Sequence, residues 1–537
     1  MRNIFVHTSP ALWPMIEYEL DIAQRELDDG NRVIFLYCSG DQVACDANNP
    51  QVDQKISKTL CRECVSRRLN SIKWLKSTKG QLVSLPYLNL NPMDVSNVGR
   101  VLDSIDSTGG DAQEIKKIVD SVADGIFDAA CSTLMTSVRE STPNIQKYWD
   151  KFKLYLRVGL ESHYSAINHI NRWHPETVYI YNARMNRYRP LMQVTKRLER
   201  EYVVFEYPMV GYENYMLFKN MHAHDIRGQS RILYESINKS CIDEAEILKQ
   251  GKAWFENRLS RKKMGFEPIF SGGQKRGKLI NDWSDEIFNL SFFITSQDEL
   301  NLIEEYSSTL PFGQIDGVKK ISQQFPEIRI YVRVHPNLKK VDESFTTEII
   351  SLGLLPNVLV IPADSDIDTY ELVRKSNLIV SFGSTVGVEA AYMKKPSLVI
   401  GTSLYEAFSC SANVYSGEGM SFYINSAINN DFNAFPDRAT AYLMACKYGW
   451  AFFNQGIKPK YINKLRYDFG YMVRDGVSTR IRANFTLKLI NRIINLPSDL
   501  KYIFKRIKKH PERFFKLSNF FPSNIRSILL ADAPRRN

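Results

Sequence analysis

The chain is short of several things that would settle its class at once. Its 537 residues hold no uncharged apolar run of the ~18 residues that a membrane-spanning helix needs. Eight cysteines are too few for a disulfide scaffold at this length. Glycine (27) and proline (22) are near average, which excludes collagen-like and proline-rich low complexity. No short-period repeat is found, so a solenoid is excluded. The opening apolar run, Asn3-Ile4-Phe5-Val6-His7-Thr8, is soon followed by Glu17, Glu19 and Asp21, unlike a secretory signal. The expectation is a folded cytoplasmic protein, and 44% hydrophobic with 24% charged residues is ordinary for one. At roughly 100–200 residues per domain, there is room for two to four.

Charge of one sign is also missing from most of the chain. The net charge is +11, but Arg480 to Asn537 alone carries 14 Lys/Arg against 3 Asp/Glu. Everything before it is neutral. A neutral body argues against a nucleic-acid partner. The tail mixes cations with Ile493, Ile494, Tyr502, Phe504, Phe514 and Phe515. That mixture suits amphipathic helices at an anionic membrane surface, each Lys/Arg contributing up to about 1 kcal/mol. A helix pair packed back on the body with a solvated basic face has the same pattern.

What is present is alternation. Ile4–Thr8 reads as a strand, Leu12 to Leu27 as a helix stopped by Asp28-Asp29-Gly30, and Arg32–Cys38 as a strand. Thr177–Tyr181 and Tyr202–Phe205 are further buried-type strands, ending at Asn182-Ala183-Arg184 and Glu206. Phe270–Gly277 (FSGGQKRG) is the best linker candidate. Beyond it come strands at Ile287–Thr295, Ile328–Val334, Val358–Ile361, Leu378–Ser381 and Pro396–Ile400, with helices between. Two doubly wound α/β units in succession are expected, with a ligand cleft at the carboxyl ends of their strands. The domain boundaries read as 1–275, 276–475 and a helical tail over 476–537.

Three segments carry chemistry. A strand ends at Ser381, Gly383-Ser384-Thr385 turn the chain, and a helix follows, so its amides and the two hydroxyls can hold a phosphate. Gly387 allows a ligand or strand to come close. Glu389, four residues after Thr385, shares its helix face and suits ribose or sugar hydroxyls. A plain capped helix has the same spacing. Arg333-Val334-His335-Pro336 closes another strand, and the proline holds the imidazole at the sheet edge, where it can donate to a phosphate or protonate a leaving oxygen. A solvent-exposed loop histidine is the alternative. Asp364-Ser-Asp366-Ile-Asp368-Thr-Tyr370 lacks the glycine and terminal Glu of a calcium loop, so an N-capped helix is the more natural purpose. Tyr370 can stack on a base. No Asp-x-Asp stands on a strand end as a metal-dependent transferase would use. A general base is expected from the N-terminal half, with Glu206 and Asp225 as candidates; a rim carboxylate and a helix cap are their structural alternatives. Cys38, Cys45, Cys61 and Cys64 include one two-residue gap typical of a structural zinc site, with free thiols as the alternative.

The order of these motifs resembles the C-terminal domain of bacterial capsule polysaccharide biosynthesis glycosyltransferases. The resemblance lies in Ile294-Thr-Ser-Gln-Asp298-Glu299, Arg333-Val-His335-Pro336, Asp368-Thr-Tyr370, Ser384-Thr385 with Glu389-Ala390, and Lys395-Pro396. The His-Pro and Ser-Thr pairs are similar to those of polysialyltransferases and polyol-phosphate polymerases. Asn182-Ala183-Arg184 stands where such proteins often have Asn-Gly-Arg. The resemblance implies a GT-B fold, two Rossmann-like domains facing each other across a cleft. It implies phosphate contacts at His335, Ser384 and Thr385, and ribose or donor-sugar contact at Glu389, with Arg333 beside His335 as a further candidate for the nucleotide's phosphates. It also implies a nucleotide-sugar donor, no redox cofactor, and a polysaccharide or lipid-linked acceptor. Transfer of a polyol phosphate from a CDP-linked donor, or a non-catalytic scaffold at the membrane, are the alternatives.

Overall fold

The structure, a computed structural model, describes residues 1–8, 10–11, 14–45, 58–77, 79–138, 140, 142–208, 211, 214–262, 271–295, 302–336, 338 and 343–460. The basic tail therefore lies outside the described residues, as do Asp298 and Glu299. Among the described residues no helix is long and apolar enough to cross a membrane.

The chain opens as its alternation predicts, with β1 (Asn3–His7), α1 (Met15–Asp28) and β2 (Arg32–Tyr37). Then come α2 (Lys58–Ile72), β3 (Gln81–Pro86) and four helices, α3 (Pro92–Asp106), α4 (Ala112–Asp120), α5 (Ile126–Val138) and α6 (Trp149–Trp173). These lead to β4 (Thr177–Tyr181), α7 (Arg189–Arg197), β5 (Glu201–Glu206), β6 (Met216–Lys219), α8 (Ile226–Asn238) and α9 (Glu244–Leu259). The helix starts are written in the sequence: Asn91 and Asp94 form a reciprocal capping box around Pro92, and Asp111 caps α4.

The second half contains β7 (Asn289–Ile294), α10 (Glu304–Ser307), α11 (Gln314–Gln324), β8 (Arg329–Val334), α12 (Glu343–Ser351) and β9 (Val358–Ile361). It continues with α13 (Thr369–Lys375), β10 (Leu378–Ser381), α14 (Val386–Tyr392), β11 (Ser397–Ile400), β12 (Ala412–Val414), α15 (Gly417–Ile428) and α16 (Arg438–Phe453). Strands β7, β10 and β11 are buried along their whole length, which is why they read as continuous apolar runs rather than alternating ones.

The two six-stranded sheets run β3-β2-β1-β4-β5-β6 and β12-β11-β10-β7-β8-β9. Each is a doubly wound order, reversing direction between its first and fourth strands. The second sheet is parallel throughout; in the first, β6 runs antiparallel to β5. This is the mixed α/β, two-sheet architecture expected of the GT-B class. Two compact units are distinguished: Thr8–Pro86 in one, Arg2–His7 with Tyr87–Pro459 in the other. In the first, α1 carries the fully buried Glu17 and Glu19, which pair with Arg67 and Arg68 of α2. In the second, the β7–β12 sheet packs Leu290, Phe292, Ile330, Val332, Leu378 and Val380 at its centre.

Register fixes what leaves that sheet together. Ser381 pairs with Phe293, Phe293 with Arg333, and Arg333 with Ile361, all on one level. The segments that follow, Gly383-Ser384-Thr385, Thr295 and His335, therefore emerge at the same carboxyl edge. Helices α8 and α9 precede the Gly-rich stretch yet share a core with α14 and α16 through Leu233, Trp254, Phe255, Val388 and Tyr448. At that crossing Gly251 meets the Cys446 carbonyl so closely that an added Cβ would lie 1.8 Å from it. The described part of the expected linker is anchored. The Gln274 side chain accepts from the Thr369 amide at 2.9 Å, and Gly277 N–H donates to Asp368 at 2.8 Å.

Candidate functional site

The carboxyl edge of the β7–β12 sheet, where β7 and β10 lie side by side and the strand order reverses, is where α/β sheets bind ligands. Gly383 takes φ +73° there, and a Cβ would stand 2.8 Å from the Thr402 carbonyl, so the turn requires glycine. Ser384 and Thr385 follow, both half-buried. Helix α14 then runs only seven residues, and Thr385 at its cap makes no side-chain capping bond. Gly387 serves a neighbour within the chain: its missing Cβ leaves room for the Tyr405 hydroxyl, which donates to the Ser384 carbonyl at 2.7 Å. Tyr405 thereby sets the height of the Ser384–Thr385 turn.

Arg258, from α9, reaches this turn. Its Nε and Nη2 donate to Glu389 Oε1 at 2.8 and 2.6 Å, and Nη2 lies 3.4 Å from the Thr385 hydroxyl. Its guanidinium lies 4.7 Å from the centre of the Trp254 ring. The structure thus joins Thr385 and Glu389 through a cation that the motifs did not include. The only sequence signal for it is the Trp254/Arg258 spacing of one helical turn, which positions the stack but not the destination.

The other predicted residues divide by what they touch. Arg333 is buried, and its guanidinium donates to the Pro362 carbonyl at 2.7 Å and the Ser365 carbonyl at 3.3 Å. It positions the loop between β9 and α13. His335, half-buried beside it, is pushed down to about 4 by burial and then by Arg333, so its imidazole is neutral at pH 7. Asp368 caps α13 through the Tyr370 amide, and Arg261 pairs with it at 3.2 Å. Asp366 pairs with Lys275 and Lys278. Tyr370 is buried, 7% exposed, and so does not present an open ring face. Gln314 clamps Thr295 from both sides, accepting from its N–H at 2.8 Å and donating to its carbonyl at 2.9 Å.

A second cluster forms at the ends of β4 and β5. Asn182 and Ala183 both take left-handed φ, 56° and 60°, in a tight turn. His222 holds this turn: its Nδ1 accepts from the His224 N–H at 2.9 Å, so the proton sits on Nε2, 3.1 Å from the Ala183 carbonyl. Asn182 Nδ2 in turn donates to Glu206 Oε2 at 2.5 Å, and the Tyr207 N–H to Oε1 at 3.1 Å. Burial pushes the Glu206 carboxyl up to about 7, against the pull of those hydrogen bonds. Asp225 caps α8 by accepting from the Gly228 N–H at 2.9 Å. Alanine in the left-handed region costs roughly 1–2 kcal/mol, partly offset by the chain entropy that glycine adds to the unfolded state. Ala183→Gly should therefore stabilise the protein by up to about 1 kcal/mol, read as a higher urea midpoint at unchanged slope.

No protein-family model matches the chain, and no curated protein does. Among solved structures it is similar to the Thermosulfurimonas dismutans KpsC β-Kdo 2,4 transferase at 14% identity, covering 51% of this chain and 79% of that one, TM-score 0.34. It is similar to the KpsC β-Kdo 2,7 transferase of the same organism at 11% identity, covering 47% and 74%, TM-score 0.30. The UDP-GlcNAc 2-epimerase of Neisseria meningitidis bound to UDP-GlcNAc is similar at 11% identity, covering 87% and 99%, TM-score 0.25. All three are distant, and the two sheets carry the fold class by themselves.

The four early cysteines are not gathered. Cys38, Cys45, Cys61 and Cys64 are half-buried. Cys64 Sγ accepts from the Ala11 N–H at 3.2 Å, and Cys61 Sγ faces the Gly40 carbonyl at 3.9 Å. Among the described residues no group of three or more His, Cys, Asp or Glu side chains is placed to hold a metal ion.

Proposed function

We propose that this protein is a glycosyltransferase that moves a sugar from a nucleotide-sugar donor onto a growing surface polysaccharide. The observation that supports it most is the joining of Thr385, Glu389 and Arg258 at the strand-order reversal of the second sheet. Charge grows on the leaving phosphate as the glycosidic bond breaks, so donors fixed in advance lower the barrier. In this reading Ser384 and Thr385 supply hydroxyl donors, Arg258 supplies the positive charge, and neutral His335 donates one N–H to a phosphate oxygen. Glu389 takes a ribose or sugar hydroxyl, and Arg333 keeps the β9–α13 loop in place. Glu206, with a carboxyl near 7, has the basicity to remove the acceptor hydroxyl proton at neutral pH. The acceptor is proposed to be polysaccharide or lipid-linked, with the basic tail holding the enzyme at an anionic membrane surface.

The test is a thermal-shift panel of UDP-, GDP-, CDP- and CMP-sugars. One of them should stabilise the protein, and Ser384→Ala with Thr385→Ala should weaken that binding by about 1–3 kcal/mol through lost charge-assisted hydrogen bonds. Unchanged affinity in the double variant, or no response to any donor, would overturn the proposal. Turnover should release free nucleotide only when acceptor is present; conversion of the sugar without acceptor would indicate an epimerase instead.

A further inference from the structure

The loop after β4 reads Asn182-Ala-Arg184-Met-Asn-Arg187-Tyr-Arg189, three arginines within six residues. All three are buried, at 4%, 2% and 7% exposure. Arg184 Nη1 donates to the Ser132 and Thr136 hydroxyls at 3.2 Å each, and Arg189 Nη1 to the Leu302 carbonyl at 3.1 Å. The Nε atoms of Arg184 and Arg189 are buried with no hydrogen-bond partner. Among the described residues neither forms an ion pair. Arg184 acts on the Glu206 carboxylate, a small effect beside burial, and no ion pair among the described residues offsets Arg189; burying guanidiniums short of counter-charge is costly, and an anionic ligand would supply it.

The surroundings of these arginines agree with a negative ligand. Helix α7, nine residues long, starts at Arg189 with no side-chain cap; the Arg189 N–H donates to the Met185 carbonyl at 3.0 Å and Pro190 has no N–H, so this end offers the positive end of the helix dipole rather than a row of open donors. His222 and His224, beside the loop, are both held neutral, first by burial and then in part by the positive field of these arginines. Glu206 and His224 beside the loop are half-buried. Leu302, which accepts from Arg189, lies between β7 and α10.

We propose that Arg184 and Arg189, at the start of α7, form a binding site for the anionic group of the acceptor, a sugar bearing a carboxylate or a phosphate. The word acceptor rests on the transferase reading; the anion site itself does not. Seated there, the acid group would place a neighbouring hydroxyl near Glu206, on the adjacent strand. The fork of each arginine would convert charge into orientation.

The probes are glucuronate, glucose 6-phosphate and glucose, titrated against the full chain at low salt. One of the charged sugars should bind and raise the melting temperature, and glucose should not; the preferred probe tells carboxylate from phosphate. Arg184→Gln and Arg189→Gln should each weaken the charged sugar by about tenfold or more, as loss of a charge-assisted pair predicts. The same variants should keep the wild-type response to the nucleotide-sugar, which also shows that they are folded. If Arg184→Gln does not fold, Arg184→Lys serves, and weakened rather than abolished binding is expected because charge remains without the fork. Equal binding of glucose, failure of both charged probes, or wild-type affinity in the variants would overturn the site. A wild-type chain that binds the charged sugar but no nucleotide-sugar keeps the site and removes only the transferase reading.

Discussion

Replacing Glu206 with glutamine should lower kcat/KM by about 10²–10⁴-fold, the usual contribution of a positioned general base. Glutamine keeps the shape and can still accept one of the two hydrogen bonds from Asn182 and Tyr207, so the loss would report proton transfer more than packing. The wild-type pH profile should show an acid limb near 7, where the buried carboxyl loses its proton, and the limb should vanish in the variant. Stability should move in the opposite sense. A carboxyl whose folded value lies above its ordinary 4.5 contributes most below about 4.5 and loses that contribution as pH rises through about 7. Between pH 5 and pH 8 the glutamine variant should therefore gain about 2–3 kcal/mol relative to wild type. Any hydrogen bond lost to the amide costs the same at both pH values, so urea melts at the two pH values isolate the carboxyl. A flat difference would mean that Glu206 stays ionised and is a rim carboxylate.

The strands and their ends were legible because local pattern decides them. Buried parallel strands are continuous apolar runs, and the residues just past them, Gly383-Ser384-Thr385, His335-Pro336 and Asn182-Ala183-Arg184, stand out as turns. The sheet order then brings the first two sets to one edge without further information. What the sequence did not show is where long side chains end. Arg333 looked like part of a phosphate site, yet its guanidinium is occupied by the Pro362 and Ser365 carbonyls. Gly387 was open to two readings, ligand or chain, and a tyrosine 18 residues later takes the space. The alanine at 183 matches the family pattern only if a non-glycine residue can be held at φ 60°, and the His222 contact that holds it lies 39 residues away. Asp225 was expected as base or cap, and its geometry is that of a cap.

Arg258 is the largest omission and gives the sharpest test. Glu389 is 4% exposed and accepts from both Nε and Nη2 of Arg258, so Arg258→Met should take a close counter-charge away from a buried carboxylate. Breaking one side of such a pair typically costs about 3–5 kcal/mol, and nucleotide binding should fall with it. That result alone would not tell a structural arginine from a ligand-binding one. The double variant Arg258→Met with Glu389→Gln removes both charges, and most of the lost stability should return, because a neutral pair no longer leaves a charge in low dielectric. The two roles then predict different things. Glu389→Gln alone gives the cost of the proposed ribose or sugar contact, so if Arg258 only ties α9 to α14, the stable double variant should bind nucleotide-sugar as that single variant does. If it neutralises the leaving phosphate, the double variant should melt normally yet bind the donor about tenfold or more weakly than Glu389→Gln alone, and kcat should fall further still, since the charge it meets is greater in the transition state than in the bound substrate.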